Sequence, residues 1–168
     1  GKVLMQASGQ SMLHHLVERL KSVESIDEIV LATTVNCSDN VLIEEAKNLN
    51  IGFYRGDENN VMLRVIEAAE SVNADVVVEI TADCPIIDPQ IIEQAILTYI
   101  NNDADYVGNA NVRSYPDGMD VQVFSLQALK KSFELTSDQL ELEHVTLNMR
   151  RNPEIFKHIN LISPPELY

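Results

Sequence analysis

The sequence predicts an α/β fold, a doubly wound and mostly parallel sheet covered by helices on both faces in three layers. Three observations carry this. Strand-like apolar runs alternate with stretches of helical periodicity as β-α-β-α-β-α-β. Residues 75–81 form an almost continuous, valine-rich run, the pattern of a strand buried on both faces. Asp88-Pro89 then opens a helix, with Asp as N-cap and Pro in the first helical position.

Taken in order, Met12, Leu13, Leu16, Val17 and Leu20 recur at helical spacing, which predicts a helix over residues 11–23. A strand over residues 26–33 follows. The next helix is capped by Ser38 or Asp39 and carries Val41, Leu42, Ala46 and Leu49. Residues 51–54 read as a short strand ending at Arg55-Gly56, residues 59–72 as a helix, and residues 89–101 as another. A short strand over residues 105–108 leads into a loop, residues 109–118, with Pro116-Asp117-Gly118 as its turn signal. Residues 119–124 alternate as a strand. Ser125 caps a helix to about Leu135, and Ser137-Asp138 caps one running to Arg150. Asn152-Pro153 stops that helix, and residues 155–162 read as a last strand. There is no internal repeat and no stretch resembling an interdomain linker, so one domain is expected for 168 residues.

Composition narrows the function. A formal charge of −14 argues against a nucleic-acid partner, because that binding depends on Lys and Arg displacing counterions. An anionic small molecule would need a divalent cation and a few local basic residues to enter so acidic a protein. No apolar stretch approaches ~20 residues, so no membrane span is expected, and no signal-peptide pattern is present. Two dispersed cysteines, Cys37 and Cys84, make neither a disulfide framework nor a zinc cluster, which leaves a reducing cytoplasmic setting as the expectation.

Ligands of open α/β sheets sit beyond the carboxyl ends of the strands. Asp83, just past the 75–81 run, is a carboxylate at that position, and the helix cap is already supplied by Asp88. A hard cation taking a carboxylate oxygen together with phosphate oxygens and water fits such a place. Asp117 reads as an ordinary turn residue, and His14 and His15 as helix surface. Cys84 has neither a basic nor a cationic neighbour to activate it as a nucleophile.

An ordered series of motifs resembles a known family. Gly1-Lys2-Val3-Leu4, the helix Met12 to Leu20 and the strand ending Ala32-Thr33-Thr34 begin it. Phe53-Tyr54-Arg55-Gly56, Thr81-Ala82-Asp83-Cys84-Pro85, Pro116-Asp117-Gly118-Met119-Asp120-Val121 and Glu143-His144-Val145-Thr146 continue it. Together they resemble the cytidylyltransferase-like proteins of spore coat polysaccharide biosynthesis, relatives of the enzymes that make CMP-Kdo and CMP-sialic acid. The resemblance implies a Rossmann-like fold of the nucleotidyltransferase type. It also implies transfer of CMP from CTP to a sugar or sugar acid, with release of pyrophosphate.

Residue by residue, it implies catalytic roles for Lys2, as a phosphate neutraliser, and for Asp83, as the ligand of Mg²⁺ or another divalent cation. Arg55, at a strand end, and Arg64, on the helix after it, would touch the nucleotide or else pair at the surface with Asp57, Glu58 or Glu67. Asp120, Glu143 and His144 would touch the sugar, His144 being otherwise a helix histidine with a satisfied hydrogen bond; Asp120 stands out because aspartate is disfavoured in the strand expected around it. Self-association as a homodimer is implied as well. Family members carry a strand and a Gly/Arg-rich loop before the lysine, and a strand, an Asp-Thr turn and a helix beyond the stretch that ends here at Tyr168. The chain is therefore expected to be a fragment or to lack its ends. A competing expectation is a non-catalytic α/β module that binds nucleotide or a partner. A receiver-like phosphoacceptor is disfavoured, since no upstream acidic pair or well-placed later lysine accompanies Asp83.

Overall fold

The computed structural model of the protein describes residues 2–164; Gly1 and residues 165–168 of the motifs above lie outside that range. The chain forms two compact units. The first comprises Gly1–Ile29, Val78–Val123 and His158–Tyr168, and the second Val30–Val77 and Phe124–Lys157.

The first unit opens with a 3₁₀ turn, Lys2–Leu4, and a small hairpin of β1 (Gln6–Ala7) and β2 (Gln10–Ser11). Ser8 (φ 52°) and Gly9 (φ 82°) close it. Two left-handed residues in a two-residue loop match the right-handed twist of paired strands, a turn signal absent from the expectations above. Helix α1 (Met12–Leu20) follows as expected. Ser11 Oγ accepts the His14 N–H at 3.0 Å, and Leu13, Leu16, Val17 and Leu20 are buried. Helix α4 (Pro89–Ile100) begins as its sequence requires, with Asp88 accepting the Gln90 N–H at 2.9 Å. Its Ile92, Ala95 and Ile96 pack with Leu16, Leu20, Ile87, Val107 and Val121 in one apolar core.

A four-stranded sheet has the order β5 (Val76–Glu79), β7 (Gln122–Ser125), β6 (Tyr106–Gly108), β8 (His158–Asn160). β6 and β8 are parallel, Tyr106 opposite His158. The Leu126 N–H reaches Asp75 O at 2.9 Å and Gln122 Nε2 reaches Glu79 Oε2 at 2.8 Å, so β7 runs antiparallel to β5. Residues 109 and 121 face each other through the Val121 N–H and Asn109 Oδ1 at 2.9 Å, which makes β7 antiparallel to β6 too. Strands β5, β6 and β8 therefore point the same way. The loops after β5 and β6 leave at one end of the sheet.

Two strand expectations need correction here. β5 is not buried on both faces: Val76 is 40 % exposed and residues 77–80 are half-buried, because among the described residues β5 has a neighbour only in β7. The last strand is three residues long, not eight, since its ladder runs only opposite β6.

Gly108, at the end of β6, has no room for a side chain. A Cβ there would lie 2.5 Å from Tyr106 Oη and 2.9 Å from the Val121 carbonyl oxygen. The backbone atom cannot swing aside, so Gly108→Ala should cost roughly 1–3 kcal/mol, readable in urea unfolding. An unchanged midpoint would contradict the packing.

In the second unit, β3 (Val30–Thr34) and β4 (Gly52–Gly56) pair in parallel, Val30 opposite Gly52 and Thr34 opposite Gly56. The strand expected from residue 26 starts at Val30 instead, because its partner starts only at Gly52. Just before it, Asn50 is left-handed (φ 53°) and the Ile51 N–H closes helix α2 on Ala46 O at 3.1 Å. Helix α2 (Asn40–Asn48) lacks the expected side-chain cap. Asp39 turns back to accept the Thr33 and Thr34 hydroxyls at 2.8 and 2.7 Å. Helix α3 (Val61–Ser71) is capped by Asn60, and α5 (Leu126–Glu134) by Ser125.

The helix expected from Asp138 to Arg150 is two short ones, α6 (Gln139–Glu143) and α7 (Leu147–Arg151). Asp138 caps the first as expected, accepting the Leu140 N–H at 2.9 Å. The break at His144 lets polar groups meet. On a straight helix, residues seven apart lie about 10 Å apart along the axis. Here Asn148 Nδ2 donates to Glu141 Oε2 at 2.8 Å. Thr136 Oγ1 and Arg151 Nη1 complete the shell of this buried carboxylate at 2.5 and 2.9 Å.

Candidate functional site

The loop after β5 holds Asp83 by its neighbours. The Cys84 N–H bonds to Thr81 O at 3.1 Å and the Ile87 N–H to Cys84 O at 3.3 Å, a pair of tight turns. Cys84 and Ile87 are buried as anchors, while the Asp83 side chain keeps half its surface exposed. Arg19 Nη1 ties α1 to the same loop through Ile87 O at 3.4 Å. Lys2 Nζ lies 3.4 Å from Asp83 Oδ2. A hydrogen bond from the Thr81 hydroxyl, and then the nearby Lys2 ammonium, outweigh partial desolvation and hold the Asp83 carboxyl below its usual 3.8. It is ionised at neutral pH, with one oxygen facing Lys2.

Beside it, Cys84 Sγ touches Thr81 Oγ1 at 3.1 Å. Burial first, then the charges of Asp83 and Asp120, push this thiol up against the opposing Thr81 bond, so it is no nucleophile. Asp120 is exposed and lies in the loop before β7, not in a strand. The strand setting that made Asp120 stand out in the sequence is therefore absent. Lys2 and Asp83 are thus brought together in the first unit, to which Asp120 also belongs.

The other four candidates lie in the second unit. Arg55 closes β4 and has all its guanidinium nitrogens engaged: Nε on Thr34 O at 2.9 Å, Nη1 on Asn40 Oδ1 at 3.0 Å, Nη2 on Asn36 O at 2.9 Å. It staples the loop between β3 and α2. Arg64, on α3, donates through Nη1 to Asp57 O at 2.5 Å, and its Nε is buried without an acceptor among the described residues. Burial lowers its pKa against the pull of Asp39, Asp57 and Glu58, and a guanidinium stays charged regardless. Neither arginine forms an ion pair with Asp57, Glu58 or Glu67. Glu143 and His144 are both exposed, at the end of α6 and at the break before α7.

Sequence reasoning passed over Asp39 and Thr81. Asp39 is held below the usual carboxylate range by the Thr34 and then the Thr33 hydroxyl, at the carboxyl end of β3. A Thr-Thr pair closing a strand five residues before an aspartate was the available signal. For Thr81 it was a hydroxyl two residues before the key carboxylate.

A parallel strand pair in the second unit, and in the first a carboxylate beyond a strand's carboxyl end facing a lysine, define a protein of the α/β class. Residues 1–167 match the cytidylyltransferase family, and the chain belongs to it. An uncharacterized protein of Methanocaldococcus jannaschii is 33 % identical over 165 residues, 98 % of this chain and 66 % of the relative. The spore coat polysaccharide biosynthesis protein SpsF of Bacillus subtilis is 28 % identical over 176 residues, all of this chain and 70 % of that one. A 3-deoxy-manno-octulosonate cytidylyltransferase of Solibacter usitatus is 30 % identical over 115 residues, 67 % of this chain and 44 % of its own length. The chain thus spans about two thirds of the first two relatives and under half of the third. The solved structure of a cytidylyltransferase from Leptospira borgpetersenii superposes with a TM-score of 0.93 at 28 % identity, over 97 % of this chain and 69 % of that one. The expected nucleotidyltransferase fold and family are those found.

Proposed function

We propose that the protein transfers CMP from CTP to a sugar or sugar acid in the synthesis of a cell-surface or spore-coat polysaccharide. The sugar hydroxyl oxygen bonds to the α-phosphorus, the α–β phosphoanhydride bond breaks, pyrophosphate leaves and the hydroxyl proton passes to solvent. The observation that carries this reading is the ionised, half-exposed Asp83 at a strand's carboxyl end, with Lys2 at 3.4 Å.

Among the described residues no three His, Cys, Asp or Glu side chains cluster as a metal cage. A single accessible carboxylate suits Mg²⁺, which keeps waters and takes its remaining ligands from substrate phosphates. Bound there, the cation would neutralise phosphate charge. The chain's own residues do the rest. Lys2 adds a positive charge to the phosphate side and Arg64 offers its unused N–H groups to the nucleotide. Arg55 holds the loop after β3 in place. Asp120, Glu143 and His144 present hydrogen-bonding groups to the sugar. Catalysis on this account is positioning and charge stabilisation. The enzyme acts in the cytoplasm, where CTP is made, as a homodimer.

Pyrophosphate release by the full-length protein, with each of the four ribonucleoside triphosphates and a panel of sugars, tests this reading. CTP should be preferred at least tenfold. A protein that binds CTP but releases no pyrophosphate with any acceptor would be the non-catalytic module instead.

A further inference from the structure

The turn that carries Asp83 fixes its backbone but not its carboxylate. The Cys84 N–H closes on Thr81 O at 3.1 Å, which puts Asp83 at the third position of a four-residue turn. Two side-chain torsions remain, and half of the side chain's surface is open to solvent. Two neighbours limit where the carboxylate points. Cys84 Sγ lies 3.1 Å from Thr81 Oγ1 and 4.0 Å from Asp83 Oδ1, so the three side chains form one short polar run on the turn. Cys84 is anchored by burial, and its neutral thiol is a weak donor. An ionised carboxylate only accepts, so the hydroxyl and thiol protons are both drawn toward it.

The two oxygens of Asp83 therefore differ. Oδ1 faces the buried thiol, whereas Oδ2 faces Lys2 Nζ at 3.4 Å, on a side chain that is 78 % exposed. A solvated ammonium on a flexible stem is held weakly and gives way to a divalent cation. The hydroxyl and the thiol belong to the same turn as the carboxylate and stay where they are.

We propose that Thr81, with Cys84 behind it, is a positioning residue: the pair keeps Oδ1 against the turn, so that Oδ2 alone is presented to a divalent cation arriving with the nucleoside triphosphate. The inference rests on the transferase reading above and deepens it by naming the ligating oxygen and what orients it. Ligation through a single oxygen suits Mg²⁺, which keeps its other places for water and phosphate. A carboxylate held in one rotamer beforehand also loses less side-chain freedom on binding.

Mn²⁺ affinity of the full-length protein with CTP present, read by electron paramagnetic resonance, tests this without relying on turnover. Thr81→Val keeps the branched shape and removes the hydroxyl. It should weaken Mn²⁺ binding by about tenfold, the lower end of what partners behind a metal ligand contribute, with the melting temperature unchanged. Thr81→Ser, which retains the hydroxyl, should stay within about threefold of the wild type, and Cys84→Ala should show a smaller loss than Thr81→Val. In turnover, the Mg²⁺ concentration at half-maximal rate should rise by the same factor while kcat at saturating Mg²⁺ changes little, a split that a purely structural role would not produce. Unchanged Mn²⁺ affinity in Thr81→Val overturns the assignment and leaves the transferase reading standing. So does an equal loss in Thr81→Ser, or a loss that follows a fall in melting temperature and that Thr81→Ser does not rescue. A wild type that neither binds Mn²⁺ with CTP nor releases pyrophosphate overturns both readings.

Discussion

Asp83→Asn should lower metal-dependent pyrophosphate release by a factor of about 10²–10³, the scale on which a single charge-stabilising group at a reacting centre is felt. The substitution keeps the side chain's shape and its neighbours Thr81 and Cys84. It removes the negative charge through which this loop would hold a cation beside phosphate. Folding should hardly notice. The Lys2–Asp83 pair is exposed on both sides, 78 % and 50 %, and pairs of that kind contribute between nothing and about 1 kcal/mol. The measurement pairs turnover across a Mg²⁺ titration with a thermal melt, and adds Mn²⁺ affinity from electron paramagnetic resonance with CTP present. Full turnover in a variant with wild-type melting would falsify the role assigned to Asp83.

A large loss of stability is expected instead from Glu141→Ala. Glu141 is buried and receives Thr136, Asn148 and Arg151, while Asn148 in turn accepts the Ser132 hydroxyl at 3.0 Å. Truncation leaves the buried Asn148 amide without its acceptor and Arg151, half-exposed, with only the weaker Asp138 at 3.5 Å. Breaking a buried, hydrogen-bonded charge costs about 3 kcal/mol, with the solvated side of Arg151 keeping the figure from going higher. The effect should depend on pH. Hydrogen bonds, the Thr136 hydroxyl foremost, hold the Glu141 pKa below its ordinary 4.5. The contribution is therefore complete above that value and is lost as the pH falls through the lower folded-state one. The gap in denaturant midpoint between wild type and variant should narrow as the pH is lowered from neutral through that range. A constant gap across that range would show that lost packing, not the charge, sets the stability.

Much of the fold is legible one residue at a time. Asp88, Ser125 and Asp138 were read as caps and act as caps, because a cap is a bond between residues two or three apart. The parallel strands and their order along the chain followed from apolar periodicity. Errors arose where a partner from elsewhere in the chain intervened. Asp39 has the sequence of a cap, but two threonine hydroxyls outcompete the helix N–H groups for it. The valines of β5 look doubly buried, yet a strand's exposure depends on what lies beside it, and Val76 lies at an edge. His144 interrupts a pattern that reads as continuous helix, because Glu141 and Asn148 gain more by meeting than the backbone gains by going straight.

The candidate site divides along the same line. Asp83 was legible alone, since its place after a strand is a local property. Arg55 and Arg64 were ambiguous in the sequence, and only their partners separate a loop staple from an arginine with unused donors. Local order, in short-range hydrogen bonds and apolar spacing, is written into the chain. Which distant groups meet, as Lys2 meets Asp83 across 81 positions, was decided only when packing brought those segments together.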